Sequence, residues 1–254
     1  MRRASGSRTQ ERDDNRTGKK AAVSPAGSAA HAGRLVAVGY ADGGVKGYLE
    51  HPHIELPIRA DGKLDVGGAV GRVGRLSVVR DSGLREPYVG QCELVSGEIG
   101  EDMAMYFTVS EQTPSLVSLG VLVARAGAVL SAGGLLVQAM PGCSEHLLTQ
   151  LELRAPIFAD LSRYLAEQDD VAAAFHGLFR GLEPEILDMG VPVWRCDCDR
   201  ARIDAALISL GADELSDMAE KDGGAEVGCH FCNTRYHFTV PELHALRGQG
   251  TNGL

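Results

Sequence analysis

Four of the six cysteines stand in two tight pairs, Cys196-Asp197-Cys198 and Cys229-His230-Phe231-Cys232, separated by 30 residues. That clustering limits what the C-terminal part of the chain can become. Thiolates two or three positions apart on a turning backbone reach one tetrahedral ion at about 2.3 Å each, and a second pair closes the cage when the spacer folds back. The same spacing also admits two disulfides or four buried thiols. Chance burial rarely yields two such pairs, and lasting disulfides need an oxidising compartment. The expectation is therefore one zinc ion per reduced chain, held by Cys196, Cys198, Cys229 and Cys232. His230 and His237 are read as non-ligands because four thiolates complete the tetrahedron, and Asp197 and Asp199 as solvated acids. Cys92 and Cys143 are read as small buried hydrophobes.

The spacing also allows redox chemistry. A strong oxidant converts zinc-bound thiolates to sulfenic acid or disulfide, which would remove the ligands. A zinc module of about 55 residues, from Val191 to Leu246, has a thin core, and metal ligation contributes about 10–16 kcal/mol in small zinc peptides. Such a module should unfold when its metal is lost. Spacing permits a redox switch without requiring one.

The rest of the chain bounds the class. Its 254 residues suffice for one large and one small domain. A net charge of −9 disfavours a general affinity for nucleic acid or anionic membrane. No apolar run approaches the length of a membrane helix. Arg2 and Arg3 precede no apolar segment, so a cytoplasmic, reducing compartment is expected. Residues 1–33 are polar and lack an apolar period, and are expected to be disordered, as is the tail 247–254.

An α+β core domain is expected over 34–142. Leu35–Val38 and Val45–Leu49 read as a hairpin about Ala41–Gly44, with Val45, Gly47 and Leu49 alternating against Lys46 and Tyr48. The glycines of residues 66–74 match neither a phosphate loop nor a dinucleotide fingerprint and read as a flexible connection. Leu76–Val79 and Tyr88–Ser96 read as strands. Ile99, Met103, Tyr106 and Phe107 have helical spacing. Leu116–Ala124 and Ala128–Met140 read as two central strands, the second kinked or bulged at Gly133-Gly134. A helical linker is expected over 143–190. It carries Leu147, Leu148 and Leu151, then Ile157, Leu161, Tyr164 and Leu165 after Pro156, then Val171, Phe175, Leu178 and Phe179, and a last short turn at Pro184–Leu187. Each helix is too short to be stable alone in water and must lean on something. The small zinc domain follows over 191–246.

The two cysteine pairs, with Asn233, Tyr236 and Phe238 after the second, resemble the redox-regulated holdase chaperones of the heat shock protein 33 family. Further stretches agree in family order: Gly62-Lys63-Leu64-Asp65-Val66, Gly74-Arg75-Leu76-Ser77-Val78-Val79, Ser96-Gly97-Glu98-Ile99, Ser110-Glu111-Gln112-Thr113-Pro114-Ser115, and Gly133-Gly134 through Met140-Pro141-Gly142. The resemblance covers roughly residues 33–246. The strand and long helix that usually open the family find no match in residues 1–33, so an N-terminally atypical or truncated member is expected.

The resemblance implies an ATP-independent holdase that binds unfolding client proteins in a stress response. It implies that oxidation pairs Cys196 with Cys198 and Cys229 with Cys232, that zinc is released, and that the zinc module and the linker then loosen. The active form would dimerise. The linker faces led by Leu151, Ile157, Leu161, Leu165, Phe175 and Phe179 become candidates for client binding, or for packing that comes apart on activation. Two other classes compete. A zinc-ribbon binding module with a purely structural metal would usually show a basic or aromatic face, which the acid excess opposes. A thioredoxin-like oxidoreductase would need Cys229 at a helix N-terminus, whereas Arg235–Val240 reads as strand. No nucleophile–base arrangement is recognisable, so no enzyme is expected.

Overall fold

The computed structural model describes residues 18–25, 31–81, 83 and 85–250, with backbone alone for 18–25 and 250. The fold is α+β, and its internal contacts divide it into two units. The first runs to Gly43 and takes in Leu49–Pro192; the second joins Gly44–Tyr48 to everything from Val193.

The first unit is built on a strand that the sequence pattern hides. Strand β1 (Gly18–Pro25) lies between β2 (Leu35–Tyr40) and β4 (Gly74–Asp81), antiparallel to both. This corrects the expectation of disorder over 1–33 for residues 18–25 and for 31–33, where Ala32 is buried and its amide donates to Ala69 O at 3.0 Å; 1–17 and 26–30 lie outside the described residues. Lys19, Lys20, Ala21 and Ala22 carry no bulky alternation. The ladder registers Ala22↔Val36 and Ala21↔Val78 show that its neighbours supply the β-branched positions. Strand β5 (Tyr88–Glu93) continues the sheet beyond β4.

Helix α1 (Val66–Val70) replaces the expected flexible connection. Asp65 caps it by accepting from the Gly68 amide, and Glu98 accepts from Gly67 N at 3.1 Å. A Cβ on Gly67 would come within 2.8 Å of Ser96 O, so this glycine serves close packing rather than flexibility. Helix α2 (Ile99–Val109) follows the spacing read from the sequence. Its Tyr106 joins Val70, Leu76, Val78 and Leu94 in the core, with Leu35, Ile99, Met103 and Phe107 around them. The Tyr106 hydroxyl donates to Glu111 at 2.5 Å, and Arg80 pairs with the same oxygen at 2.9 Å. Glu111 thereby ties the end of α2 to β4. Cys92 is half-buried beside this core, as expected of a small hydrophobe.

Strands β6 (Ser115–Val123) and β7 (Val129–Gln138) do not enter that sheet. They form a separate antiparallel hairpin, which corrects their reading as central strands. The irregularity falls at Leu122/Val123, not at Gly133-Gly134. The glycines have another role. A Cβ on Gly133 would fall on Leu165 Cδ1, and one on Gly120 would come within 2.9 Å of Ser162 Cβ. They admit helix α5 (Leu161–Ala166) against the hairpin.

Helices α3 (Glu145–Glu152), α4 (Ala155–Ala159) and α6 (Val171–Leu178) surround it. Pro156 sits in the first turn of α4, where a missing amide costs nothing. Phe158, Leu161, Leu178 and Phe179 are buried together, packed by Leu116, Leu135 and Val137 of the hairpin and by Leu151, Leu165 and Phe175. Ser118 Oγ also donates to Phe158 O. The 143–190 segment therefore has its own core on β6–β7 and belongs to the first unit, rather than standing as a separate linker. The expected turn of helix at Pro184–Leu187 does not form; residues 183–190 are irregular. No helix among the described residues is long and apolar enough to cross a membrane.

Gly120→Val should push α5 off the hairpin and cost about 1–3 kcal/mol. Gly39→Ala, where an added Cβ meets nothing within 4 Å, should stay within about 0.5 kcal/mol of wild type. Urea unfolding followed by far-UV circular dichroism separates the two.

Candidate metal centre

The second unit starts from two short strands far apart in sequence. β3 (Gly44–Leu49) pairs in parallel with β8 (Val193–Trp194), in the register Gly44↔Val193 and Val45↔Trp194, and Arg195 N donates to Val45 O at 2.9 Å. The chain then turns through Cys196, Asp197 and Cys198 into α7 (Arg200–Ile208), whose N-cap Asp199 accepts from Arg202 N at 2.7 Å. Helix α8 (Ala212–Glu220) leads to β9 (Ala225–Gly228), the second cysteine turn, β10 (Arg235–Phe238) and α9 (Val240–Gly250). Because α9 continues through 250, the expected disordered tail is helical over 247–250; 251–254 lie outside the described residues. The core joins Leu207, Leu215, Ala219, Phe238, Leu243 and Leu246.

Local backbone bonds shape the second turn. Cys229 N donates to Thr234 O at 2.9 Å and Asn233 N to Cys229 O at 2.8 Å. Asn233 adopts φ 58°, a left-handed conformation that asparagine tolerates. The strand after the pair, not a helix, agrees with the reading against an oxidoreductase site.

These turns bring all four Sγ atoms within 4.8 Å of one another. Cys196 Sγ lies 3.6 Å from Cys229 Sγ, and Cys198 Sγ 3.3 Å from Cys232 Sγ. All are free thiols. A tetrahedron with metal–sulfur bonds of about 2.3 Å has sulfurs about 3.8 Å apart, so this donor set fits a thiophilic ion. Protonation points the same way. Burial pushes the Cys196 thiol up to about 12. The Thr234 hydroxyl, then its backbone amide, pulls Cys232 down to about 6. Four thiols this close do not all ionise together unless a cation compensates their charge.

The surrounding shell is more organised than the sequence pattern implies. Tyr236 OH donates to Cys198 Sγ at 3.3 Å, and this bond holds its own hydroxyl up at about 12. The acids flanking the first pair are not idle solvated groups. Asp199 caps α7, and Asp197 is paired with Lys46 and Arg202. His230 stacks on Tyr48 at 5.5 Å and His237 Nδ1 faces Glu226 at 3.2 Å; neither joins the cysteine cluster. The guanidinium of Arg200 lies 3.8 Å from the Phe238 ring centroid and pairs with Glu242 at 2.8 Å, tying α7 to β10 and α9.

Lys46 and Tyr48 were legible only as the polar parity of a hairpin strand. The structure inverts that parity: Lys46 is buried and Val45 exposed. The only sequence signal was their alternation itself.

The family comparison decides what this cluster belongs to. A family model described as "Hsp33 protein" matches residues 18–239. The chain belongs to the heat shock protein 33 family. The match begins at residue 18, so the likeness takes in β1, ahead of the 33 expected from motifs, and it ends at 239, short of the expected 246. Two relatives named 33 kDa chaperonin, from Clostridium beijerinckii and Clostridium tetani, are 42% and 41% identical over 212 residues, covering 84% of this chain and 72% of theirs. The crystal structure of the 33 kDa chaperonin (heat shock protein 33 homolog) of Thermotoga maritima superposes with TM-score 0.76 at 36% identity, covering 93% of this chain and 79% of that one. This is thus a chaperone-family chain with a four-cysteine cluster.

Asp199→Ala removes the cap of α7 and should destabilise the second unit by about 1 kcal/mol. Trp194, the single tryptophan of the sequence, lies in β8 of that unit and reports the loss by fluorescence.

Proposed function

We propose that the chain is an ATP-independent, cytoplasmic holdase whose four cysteines bind one zinc ion when reduced and open on oxidation. The convergence of the four Sγ atoms within 4.8 Å carries this reading. Bound zinc would stabilise four thiolates at once and add ligation energy to a small unit. On oxidation, two thiolates of a pair give two electrons to the oxidant and join as a disulfide. With hydrogen peroxide, two protons are taken up and two waters leave.

The pairing proposed is Cys196 with Cys198 and Cys229 with Cys232. Partners two or three residues apart stay near each other after the unit opens. The short sulfur–sulfur approaches of the folded state, Cys196 to Cys229 and Cys198 to Cys232, depend on the fold and vanish with it. Disulfide mapping after oxidation should find the local pairs.

Client binding rests on apolar surface. Leu119, Val121, Leu130 and Leu136 are exposed on the outward side of the β6–β7 hairpin, and Leu187, Met189 and Val191 precede β8. Leu161 and Phe179 are buried under the helices, with Leu151, Leu165 and Phe175 beside them and Ile157 partly exposed. They serve clients only when α3–α6 lift from the hairpin, so their proposed role is packing that comes apart on activation. Unfolding clients are the proposed partners and a homodimer the proposed oxidised state; no catalysis, nucleic acid or membrane is assigned.

The test measures zinc and aggregation suppression together, before and after peroxide with mild heat. About one zinc per reduced chain, released as client holding rises, is expected. Tight zinc retention with unchanged holding contradicts the switch and leaves a purely structural metal. Cys232→Ser should abolish tight zinc binding and give a less stable, constitutively holding protein.

A further inference from the structure

Lys46 lies 151 residues before Asp197 in the chain, yet its ammonium is paired with that carboxylate. Its side chain is only 5% exposed. A lysine is rarely buried, because its charge must be compensated. Here the compensation comes from both cysteine turns. Asp197 is the residue between Cys196 and Cys198. Phe231 lies between Cys229 and Cys232, and its ring centroid is 4.6 Å from the Lys46 ammonium. The opposite oxygen of Asp197 is taken by Arg202, so the carboxylate is held from two sides. Two residues on, Tyr48 repeats the grip on the second turn, stacking on His230 at 5.5 Å and meeting Phe231 edge-on at 5.1 Å. One face of β3 thus holds both halves of the sulfur cluster.

We propose that Lys46 is a positioning residue of the metal centre. Its ammonium holds the two cysteine turns in register and offsets part of the negative charge of four thiolates, so that metal affinity depends on a strand remote in sequence from every ligand. The hydrocarbon stem of Lys46 would pack equally well as methionine. The charge is needed because the turns it joins carry a carboxylate, an aromatic face and four thiolates. This inference rests on reading the cysteines as a zinc site.

The test uses the full reduced chain loaded with zinc, and reads zinc affinity by competition with a chromogenic chelator. Wild type is measured first. Absence of wild-type zinc binding would overturn the zinc reading itself. With wild-type binding intact, Lys46→Met should weaken zinc by about tenfold or more, as losses around metal ligands do, and Lys46→Arg should recover most of that loss. Asp197→Asn keeps shape and removes charge, and should weaken zinc similarly. The double variant should be no weaker than Lys46→Met alone. Unchanged affinity in Lys46→Met, or losses that multiply independently in the double variant, would overturn the role of Lys46 while leaving the zinc site standing. Should Lys46→Met not fold, Asp197→Asn decides: a loss of about tenfold supports the proposal and wild-type affinity overturns it.

Discussion

Four sulfurs within 4.8 Å of one another are the constraint around which the second unit is arranged. Its apolar core is small, drawn from α7, α8, β10 and α9 around Leu207, Leu215, Phe238 and Leu243. Its remaining cohesion is polar: Arg200 bridging to Glu242, Lys46 and Arg202 on Asp197, and the turn bonds about Cys229. The exposed Arg200–Glu242 pair contributes little, whereas Lys46 is buried against Asp197. The cysteine cluster brings the first turn to the second, and Lys46 and Tyr48 of β3 meet both turns. Under the proposed switch, such a unit would stay folded while its thiolates share a cation and would lose its organising centre when they become disulfides.

The first unit is organised on a different principle. The run β5–β4–β1–β2 with α2 has a conventional core, locked by Tyr106, Glu111 and Arg80. Against the separate β6–β7 hairpin lie four helices of eight residues or fewer. None is stable alone; each depends on the shared cluster of Phe158, Leu161, Leu178 and Phe179. The glycines of the hairpin set that packing by admitting α5 closely.

Some of this was legible in the residues. The cysteine spacing named the cluster because ligand chemistry is local in sequence. Helices α2 and α6 showed because their apolar residues recur at i, i+4 and i+7, whereas the same spacing over Ile157, Leu161, Tyr164 and Leu165 spans two helices, α4 and α5, that break at Asp160. What escaped was set by partners. Strand β1 has no pattern of its own, since both ladders it completes are patterned by β2 and β4. Gly133 looked like a kink or bulge and Gly120 carried no signal, but they mark where Leu165 and Ser162 come close. Lys46 looked like a solvent-facing strand residue because alternation gives a face but not which face is covered. Asp197 looked solvated because its partner lies 151 residues away. Non-local pairing, not weak propensity, accounts for these misses; the capping role of Asp199, whose bond from Arg202 N is local, is the exception.

Hydrogen exchange of the zinc-loaded chain during peroxide oxidation, read segment by segment beside zinc release, addresses the coupling directly. Amides of β9, β10 and α7 should lose protection in step with zinc, those of α3–α6 should follow, and β4 and β2 should remain protected. If zinc leaves while β9, β10 and α7 stay as protected as in the reduced chain, the cysteine cluster is not what holds this unit together.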